Sequence, residues 1–285
     1  MKKVIAVLAV LIALLLVAGF VFVLLFMEEP DDTILVDSPN SQGQSGQPQL
    51  NVPKEIVTQA DELDALDAYT QRNQDTVGWL RVPGTTINNC VLQAHDNAAY
   101  LRTNELREYD IYGCYFADWE CSVGAREDFS PNTVIYGHSD LKDNPEGPRF
   151  SQLFHFTDPE FAKETPTISF STLEGGCMEW EVFAVFYTEK TFDYISARPE
   201  GGVDQLAKAC QEKSLYNYDV AVGPEDKILT LSTCTVKYGA QDNSHRFVVM
   251  ARLLPDGAES PETARITAGE PAEPEEPAGP SGPAA

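Results

Sequence analysis

The sequence predicts a mostly β fold, a single β-barrel with helical additions over residues 54–254. Seven or eight runs rich in β-branched and apolar residues follow one another at irregular spacing. The helical patterns between them are few and short, and one helix is inserted late in the chain. This succession is typical of a mostly antiparallel barrel, because α/β folds alternate strands and helices regularly.

The elements follow in order along the domain. Apolar residues at three- and four-residue steps predict an amphipathic helix over residues 55–72. Shorter helices are expected at 149–156 and 159–163, a long excursion at 187–202, and a further helix at 203–215. The predicted strands are residues 77–82, 86–92, 112–119, 132–139, 166–171, 178–188, 228–233 and 246–254.

The N-terminal segment predicts a membrane anchor. Residues 1–3 contain two lysines, residues 4–27 carry no charge, and acidic residues follow at once. A helix over residues 4–27 would span roughly 36 Å, enough to cross a hydrocarbon core. The positive-inside rule puts residues 1–3 in the cytoplasm and the domain outside the cell. We therefore expect a single-pass protein of the cell membrane, with a long cleaved signal peptide as the alternative.

Two flanking segments lack the composition of a core. Residues 28–53 are rich in Ser, Gln, Gly, Pro and Asp and predict a flexible stalk. Residues 255–285 are dominated by Pro, Glu, Ala and Gly and predict a disordered acidic tail. The formal net charge of −24 argues against a nucleic-acid partner, because nucleic-acid binding needs basic patches.

The six cysteines are expected to be mostly thiols. If Cys234 reacts as a thiol, five cysteines remain and at least one of them is also unpaired. Cys114 and Cys121 are the pair that could form a bridge. No Cys-x-x-Cys spacing, His cluster, phosphate loop or EF-hand pattern occurs, so no metal or cofactor is predicted. Buried free thiols are the expectation for Cys90, Cys177 and Cys210.

Three reactive side chains stand at or just past predicted strand ends: His138, Cys234 and Arg246. A thiol becomes a strong nucleophile as a thiolate, so Cys234 needs a base or a positive neighbour, and His138 can be both. Arg246 stays protonated and can stabilise an oxyanion. Each residue also has an ordinary structural interpretation, namely an inert buried thiol, a turn-capping imidazole and a solvated strand start.

The residues around these side chains resemble the signature of the sortase family, the membrane-anchored cysteine transpeptidases of Gram-positive bacteria. The resemblance lies in residues 132–138 (NTVIYGH), 231–234 (LSTC) and 246–249 (RFVV). Residues 96–101 (DNAAYL), the N-terminal helix and the helix at 203–215 are similar to class B. The resemblance covers about residues 54–254.

The resemblance implies an eight-stranded sortase-type β-barrel with an N-terminal helix and a helix inserted before the last two strands. Cys234 would be the nucleophile, His138 the general acid and base, and Arg246 the oxyanion and substrate stabiliser. No metal is implied. The residues implied to bind the substrate peptide are Asn97, Leu101, Tyr136, Ser232, Tyr194 and Ile195.

The partners implied by the family are secreted proteins with C-terminal sorting signals. Cleavage would follow a Thr and pass through a thioester acyl-enzyme. The acceptor would be an amine of a cell-wall precursor, either lipid II or a peptidoglycan stem peptide. Two alternatives stay open: a pilin-polymerising sortase with a Lys acceptor, and a non-catalytic peptide-binding domain on the same barrel. A papain-like hydrolase fits poorly, because its Cys precedes its His and opens a helix.

Overall fold

The computed structural model describes residues 58–239 and 244–270 of the chain. Its secondary structure consists of ten strands, three α-helices and one 3-10 helix within those residues. The helices are α1 (Gln59–Arg72), the 3-10 helix (Arg149–Thr157), α2 (Pro159–Glu164) and α3 (Val203–Lys213). The strands are β1 (Thr76–Arg81), β2 (Asn88–Leu92), β3 (Tyr115–Ala117), β4 (Asn132–Tyr136), β5 (Thr167–Ser171), β6 (Glu179–Glu189), β7 (Tyr216–Tyr218), β8 (Ile228–Cys234), β9 (His245–Leu253) and β10 (Ile266–Ala268).

Eight of the strands close into one barrel in the order β1-β2-β3-β4-β8-β9-β6-β5. Two neighbouring pairs, β2 with β3 and β4 with β8, are parallel, and the other pairs in the barrel are antiparallel. The predicted eight-stranded, mostly β barrel is therefore confirmed. The predicted N-terminal helix and the helix before the last two barrel strands are present as α1 and α3.

The strands β8 and β9 are buried on both faces. Alternate residues such as Leu229, Leu231 and Val249 pack into one large core cluster. Their neighbours, including Val248 and Met250, pack into a second cluster with Leu206, Ala207 and Cys210 of α3. Burial on both faces explains why these strands are continuous apolar runs in the sequence and do not alternate with polar residues.

Helix α1 is joined to the barrel by a buried carboxylate. Thr58 and Asp61 form a capping box that starts the helix. Glu62 is fully buried, pairs with Arg81 of β1, and accepts a 2.9 Å hydrogen bond from the Ser169 hydroxyl of β5. A buried charge is tolerated only when it is paired and hydrogen-bonded. The Glu62 network therefore fixes the helix against β1 and β5.

The C-terminal segment differs from the predicted disordered tail. Ile266–Ala268 forms β10, which pairs in antiparallel fashion with β7. The Ala264 amide also donates to the Lys163 carbonyl at 2.8 Å, and Ala264 and Ile266 pack against the core. The prediction was wrong here because composition does not show that an open strand edge lies within reach. Residues 271–285 lie outside the described residues.

The prediction of a single-pass membrane protein needs correction. Within residues 58–239 and 244–270, no helix is long and apolar enough to cross a bilayer. The longest helix, α1, has 14 residues, whereas a span needs about 20. The predicted anchor at 4–27, the segment 1–3 before it and the stalk at 28–53 lie outside the described residues.

The cysteines answer one open question and correct one expectation, the full burial of Cys177. Cys114 and Cys121 are buried free thiols, so the bridge considered for them is absent. Burial raises the pKa of Cys121 to about 12, although the Val134 amide donates to its sulfur at 3.4 Å. Cys90 and Cys210 are buried thiols as expected, whereas Cys177 is half-buried and donates to the Gln59 carbonyl at 3.3 Å.

Candidate active site

The register of three neighbouring strands brings His138, Cys234 and Arg246 to one edge of the barrel. Strand β8 lies between β4 and β9. The parallel β4–β8 ladder pairs Tyr136 with Ser232. His138 and Cys234 each follow two residues later, one beyond each member of this pair. The antiparallel β8–β9 ladder pairs Cys234 directly with Arg246. Side chains that are directly opposite in a ladder stand on the same face, with Cβ atoms about 5 Å apart.

These residues line one cleft of about 210 Å³. Seven of the nine site residues expected from the sequence contribute to it. Phe116, Gly137 and Thr233 complete the lining. The seven are Asn97, Leu101, Tyr136, His138, Ser232, Cys234 and Arg246.

Hydrogen bonds on both sides of His138 fix the end of β4 against β8. The Thr233 hydroxyl donates to the Gly137 carbonyl at 2.8 Å, and the Ser139 hydroxyl donates to the Cys234 carbonyl at 2.7 Å. The His138 carbonyl accepts from the Phe150 amide of the 3-10 helix at 2.8 Å. The backbone that carries His138 is thus held in place beyond the last residue of its strand.

The His138 imidazole is half-buried, and its Nε2 atom has two neighbours. The Leu101 carbonyl oxygen and the Arg102 Nη1 atom each lie 2.9 Å from it. Burial lowers the pKa of His138 and the Arg102 guanidinium lowers it further, against the opposing effect of the Leu101 carbonyl. The surroundings therefore favour the neutral imidazole, which can take up a proton.

The backbone after Cys234 is held by Asp143, which lies in the loop after His138. The Asp143 carboxylate accepts from the Thr235 hydroxyl at 2.5 Å and from the Val236 amide at 3.0 Å. Asp143 has a positive φ of 51°, a conformation that is uncommon for a residue other than Gly. The loop that follows His138 therefore reaches back to fix the turn that follows Cys234.

Arg246 is a half-buried cation at the start of β9. Its Nη1 atom donates to the His245 carbonyl at 2.7 Å. A guanidinium has five N–H donors and no acceptor, so it can bind more than one oxygen atom. Placed opposite Cys234, it lies where negative charge would develop on a carbonyl that the thiolate attacks.

The other side of the cleft is organised by Asp118. Its carboxylate accepts from the Asn97 side-chain amide at 2.8 Å and from the Tyr136 hydroxyl at 2.9 Å. The Asn97 side-chain oxygen Oδ1 accepts from the Trp119 backbone amide at 3.0 Å. Burial and the Asp118 carboxylate both raise the pKa of Tyr136. Asp118 was not among the site residues predicted from the sequence, because a single Asp in an aromatic-rich stretch gives no signal of what it contacts.

Tyr194 and Ile195 are placed differently from each other. Tyr194 is buried, and its hydroxyl lies 2.8 Å from the Ser232 hydroxyl. Its carbonyl accepts from the side-chain amide of the buried Asn132 at 2.9 Å. Tyr194 thus contacts the cleft through Ser232. Ile195 is 40% exposed and is not among the residues that line the cleft.

A metal centre has no donor set in the described part of the chain. Within residues 58–239 and 244–270, no group of three or more His, Cys, Asp or Glu side chains could hold a metal ion.

Comparison with known proteins agrees with this geometry. Residues 80–254 match the family model of the sortase domain. Sortase B of Listeria monocytogenes is 33% identical over 195 residues, which cover 67% of this chain and 74% of that protein. Sortase B of Staphylococcus aureus is 32% identical over 184 residues, which cover 64% of this chain and 71% of that protein.

Solved structures show the same similarity in three dimensions. The structure of a Staphylococcus aureus sortase B–substrate complex superposes with a TM-score of 0.58 at 29% identity, over 68% of this chain and 86% of that chain. Sortases act in general on proteins with sorting signals and join them to cell-wall amines. The chain therefore belongs to the sortase family of cysteine transpeptidases, and within that family to class B.

Proposed function

We propose that this sortase cleaves a C-terminal sorting signal after a Thr and transfers the new carboxyl end to an amine of a cell-wall precursor. The acceptor would come from lipid II or a peptidoglycan stem peptide. The observation that supports the proposal most directly is the position of Cys234 between His138 and Arg246 on three neighbouring strands. A nucleophile, a proton carrier and an anion stabiliser are the groups that acyl transfer requires.

The first half of the reaction forms a thioester. The neutral His138 imidazole takes up the thiol proton as the Cys234 sulfur attacks the Thr carbonyl carbon, and the electron pair of the C=O bond moves to the oxygen. Arg246 stabilises that oxyanion by charge-assisted hydrogen bonds. His138 donates its proton to the departing amine as the C–N bond breaks. The Cys234–acyl thioester remains on the protein.

The second half transfers the acyl group. The acceptor amine attacks the thioester carbonyl, and His138 removes its proton. The tetrahedral intermediate collapses with loss of the Cys234 sulfur, which leaves as a thiolate. The product is a new amide bond, and the proton on His138 passes to the Cys234 sulfur, which restores the thiol and the neutral imidazole for the next cycle. Because the thioester preserves the acyl group in activated form, the amide can form without another energy source.

The peptide is proposed to bind along the cleft between Asn97 and Ser232. Leu101 is 40% exposed and offers an apolar contact to a peptide side chain. The amide of Asn97 and the hydroxyl of Tyr136 are already oriented by Asp118. Tyr194 would support Ser232 from behind through their hydroxyl contact. Ile195, which lies outside the cleft lining, is the weakest of the proposed substrate contacts.

A fluorogenic sorting peptide with an added amine acceptor tests the proposal. The full-length chain should cleave the peptide, and mass spectrometry should detect both the thioester on Cys234 and the ligated product. Cys234→Ala should lower turnover by about three orders of magnitude or more. Cys177→Ala is the matched control, because Cys177 is another half-buried thiol and lies outside the cleft lining. Equal turnover by Cys234→Ala and the parent would contradict the proposal and favour the peptide-binding alternative.

A further inference from the structure

Arg102, one residue past Leu101, makes a contact that the proposed mechanism does not use. Its Nη1 atom lies 2.9 Å from the His138 Nε2 atom. The same ring nitrogen lies 2.9 Å from the Leu101 carbonyl oxygen. One dipeptide, Leu101–Arg102, therefore presents a hydrogen-bond donor and a hydrogen-bond acceptor to one atom of the proposed acid–base residue.

The Arg102 side chain is held in this position although it is exposed. One N–H of its Nη1 atom donates to the Ile111 carbonyl at 2.5 Å, which leaves the second for His138, while the Leu101 carbonyl lies 3.2 Å from the same Nη1. The backbone around it forms a small hairpin, with a bridge between Thr103 and Tyr109. The Asp110 amide donates to the Arg102 carbonyl at 3.1 Å. The contact with His138 thus belongs to a braced loop and not to a single extended side chain.

The two neighbours of Nε2 suit different protonation states. A neutral ring with its proton on Nδ1 accepts from Arg102 through the Nε2 lone pair. A ring with a proton on Nε2 has no lone pair there and donates to the Leu101 carbonyl instead. A charged imidazolium next to a guanidinium is opposed by like-charge repulsion.

We propose that Arg102 is a positioning residue for His138, which it holds as a neutral ring with the proton on Nδ1 in the free enzyme. Protonation of the ring breaks the Arg102 contact and transfers Nε2 to the Leu101 carbonyl. The inference rests on the proposed function of His138 as acid and base, since only then does its resting state affect turnover. The proposed role of Arg102 also couples the protonation of His138 to the position of Leu101, which is a proposed peptide contact.

Other charged groups also face His138. The Asp110 carboxylate raises the pKa of His138, against the effects of burial and Arg102. Asp110 is itself paired with Arg149 of the 3-10 helix at 3.4 Å, which reduces its influence. On the strand side, Cys234 and Arg246 line the same cleft. Among the described residues, Arg102 is the cation that lies within hydrogen-bonding distance of the His138 ring.

Substitution of Arg102 in the full-length chain tests this role by NMR. Ring ¹⁵N chemical shifts report the tautomer and the pKa of His138, and a His138→Gln spectrum identifies its signals among the four histidines. Arg102→Gln keeps a donor but removes the charge, so the pKa of His138 should rise. Arg102→Ala removes both, so the pKa should rise and the Nδ1–H tautomer should lose its predominance. Arg102→Lys should restore much of the parent pKa.

Arg107→Gln is the matched control, because Arg107 lies on the same loop but contacts Asn73 and Asp75. It should leave the His138 signals unchanged. In the peptide assay, the limb of the kcat/KM pH profile that reports His138 should move to higher pH in Arg102→Gln and stay in place in Arg107→Gln. Identical His138 shifts and pKa in the parent, Arg102→Gln and Arg102→Ala would overturn the inference. The NMR result decides it even if the parent cleaves no peptide.

Discussion

The two sides of the cleft are built in different ways. The strand wall, formed by Tyr136, Ser232, Cys234 and Arg246, is positioned by the backbone ladders of β4, β8 and β9. The loop wall, formed by Asn97 and Leu101, lies outside the regular strands. Its Asn97 is positioned by the Asp118 carboxylate and the Trp119 amide.

This difference separates two tasks. A ladder fixes side chains through many cooperative backbone bonds, so the reacting groups keep their geometry when a single contact changes. A wall that depends on a few side-chain bonds can adjust to a peptide at low cost. We therefore expect damage to the strand wall to lower stability or kcat, and damage to the loop wall to raise KM.

The largest effect is expected from Asn132→Ala, at the start of the strand wall. Asn132 is fully buried, accepts from the Thr230 hydroxyl at 2.7 Å and donates to the Tyr194 and Ser196 carbonyls. Its removal takes a hydrogen-bond partner from the buried Thr230 hydroxyl, the carbonyl of the buried Tyr194 and the carbonyl of the half-buried Ser196, so the free energy of unfolding should fall by about 3 kcal/mol. Urea denaturation measures the change.

The control for Asn132 is Asn217→Ala, because Asn217 is exposed and bonds the Ala268 carbonyl in β10. This variant should change the free energy of unfolding by less than about 0.5 kcal/mol. An equal decrease in the free energy of unfolding in the two variants would show that the buried Asn132 side chain does not specifically stabilise the strand wall.

A smaller effect, confined to the chemical step, is expected from Thr233→Val. The Thr233 hydroxyl is buried and joins β8 to the Gly137 carbonyl beside His138. The nearly isosteric Val removes this bond, and a small shift of His138 should lower kcat about tenfold with little change in KM. Thr267→Val, on the distant strand β10, should leave both constants unchanged. A rise in KM alone would place Thr233 in substrate binding.

The smallest effect is expected from Asp118→Asn, which changes the carboxylate that positions Asn97 of the loop wall. The amide keeps the shape of the carboxylate but weakens the bonds from Asn97 and Tyr136, so KM for the peptide should rise about threefold while kcat is retained. Steady-state peptide kinetics measure the two constants. Asp128→Asn, at an exposed carboxylate, serves as the control.

The strand wall was also the part that the sequence could predict. Cys234, His138 and Arg246 stand at strand ends with a strong local pattern, and the structure places them along one cleft, although their catalytic roles stay predictions. Asp118 and Arg102 act through partners far away in the sequence, which local patterns do not encode. Strand β10 was missed for the same reason, because its partner is the edge of β7.

The parallel pairing of β4 with β8 has a consequence for how this protein can vary. Since both strands run in one direction, Cys234 and His138 emerge together at the same end of the β4–β8 ladder. Loops between the two strands that do not contact the cleft or the turn after Cys234 can lengthen or shorten without separating the pair. A shift of β8 by a single position would instead turn the thiol to the opposite face of the sheet. Variation in loop length is therefore tolerated where a change within the strand is not.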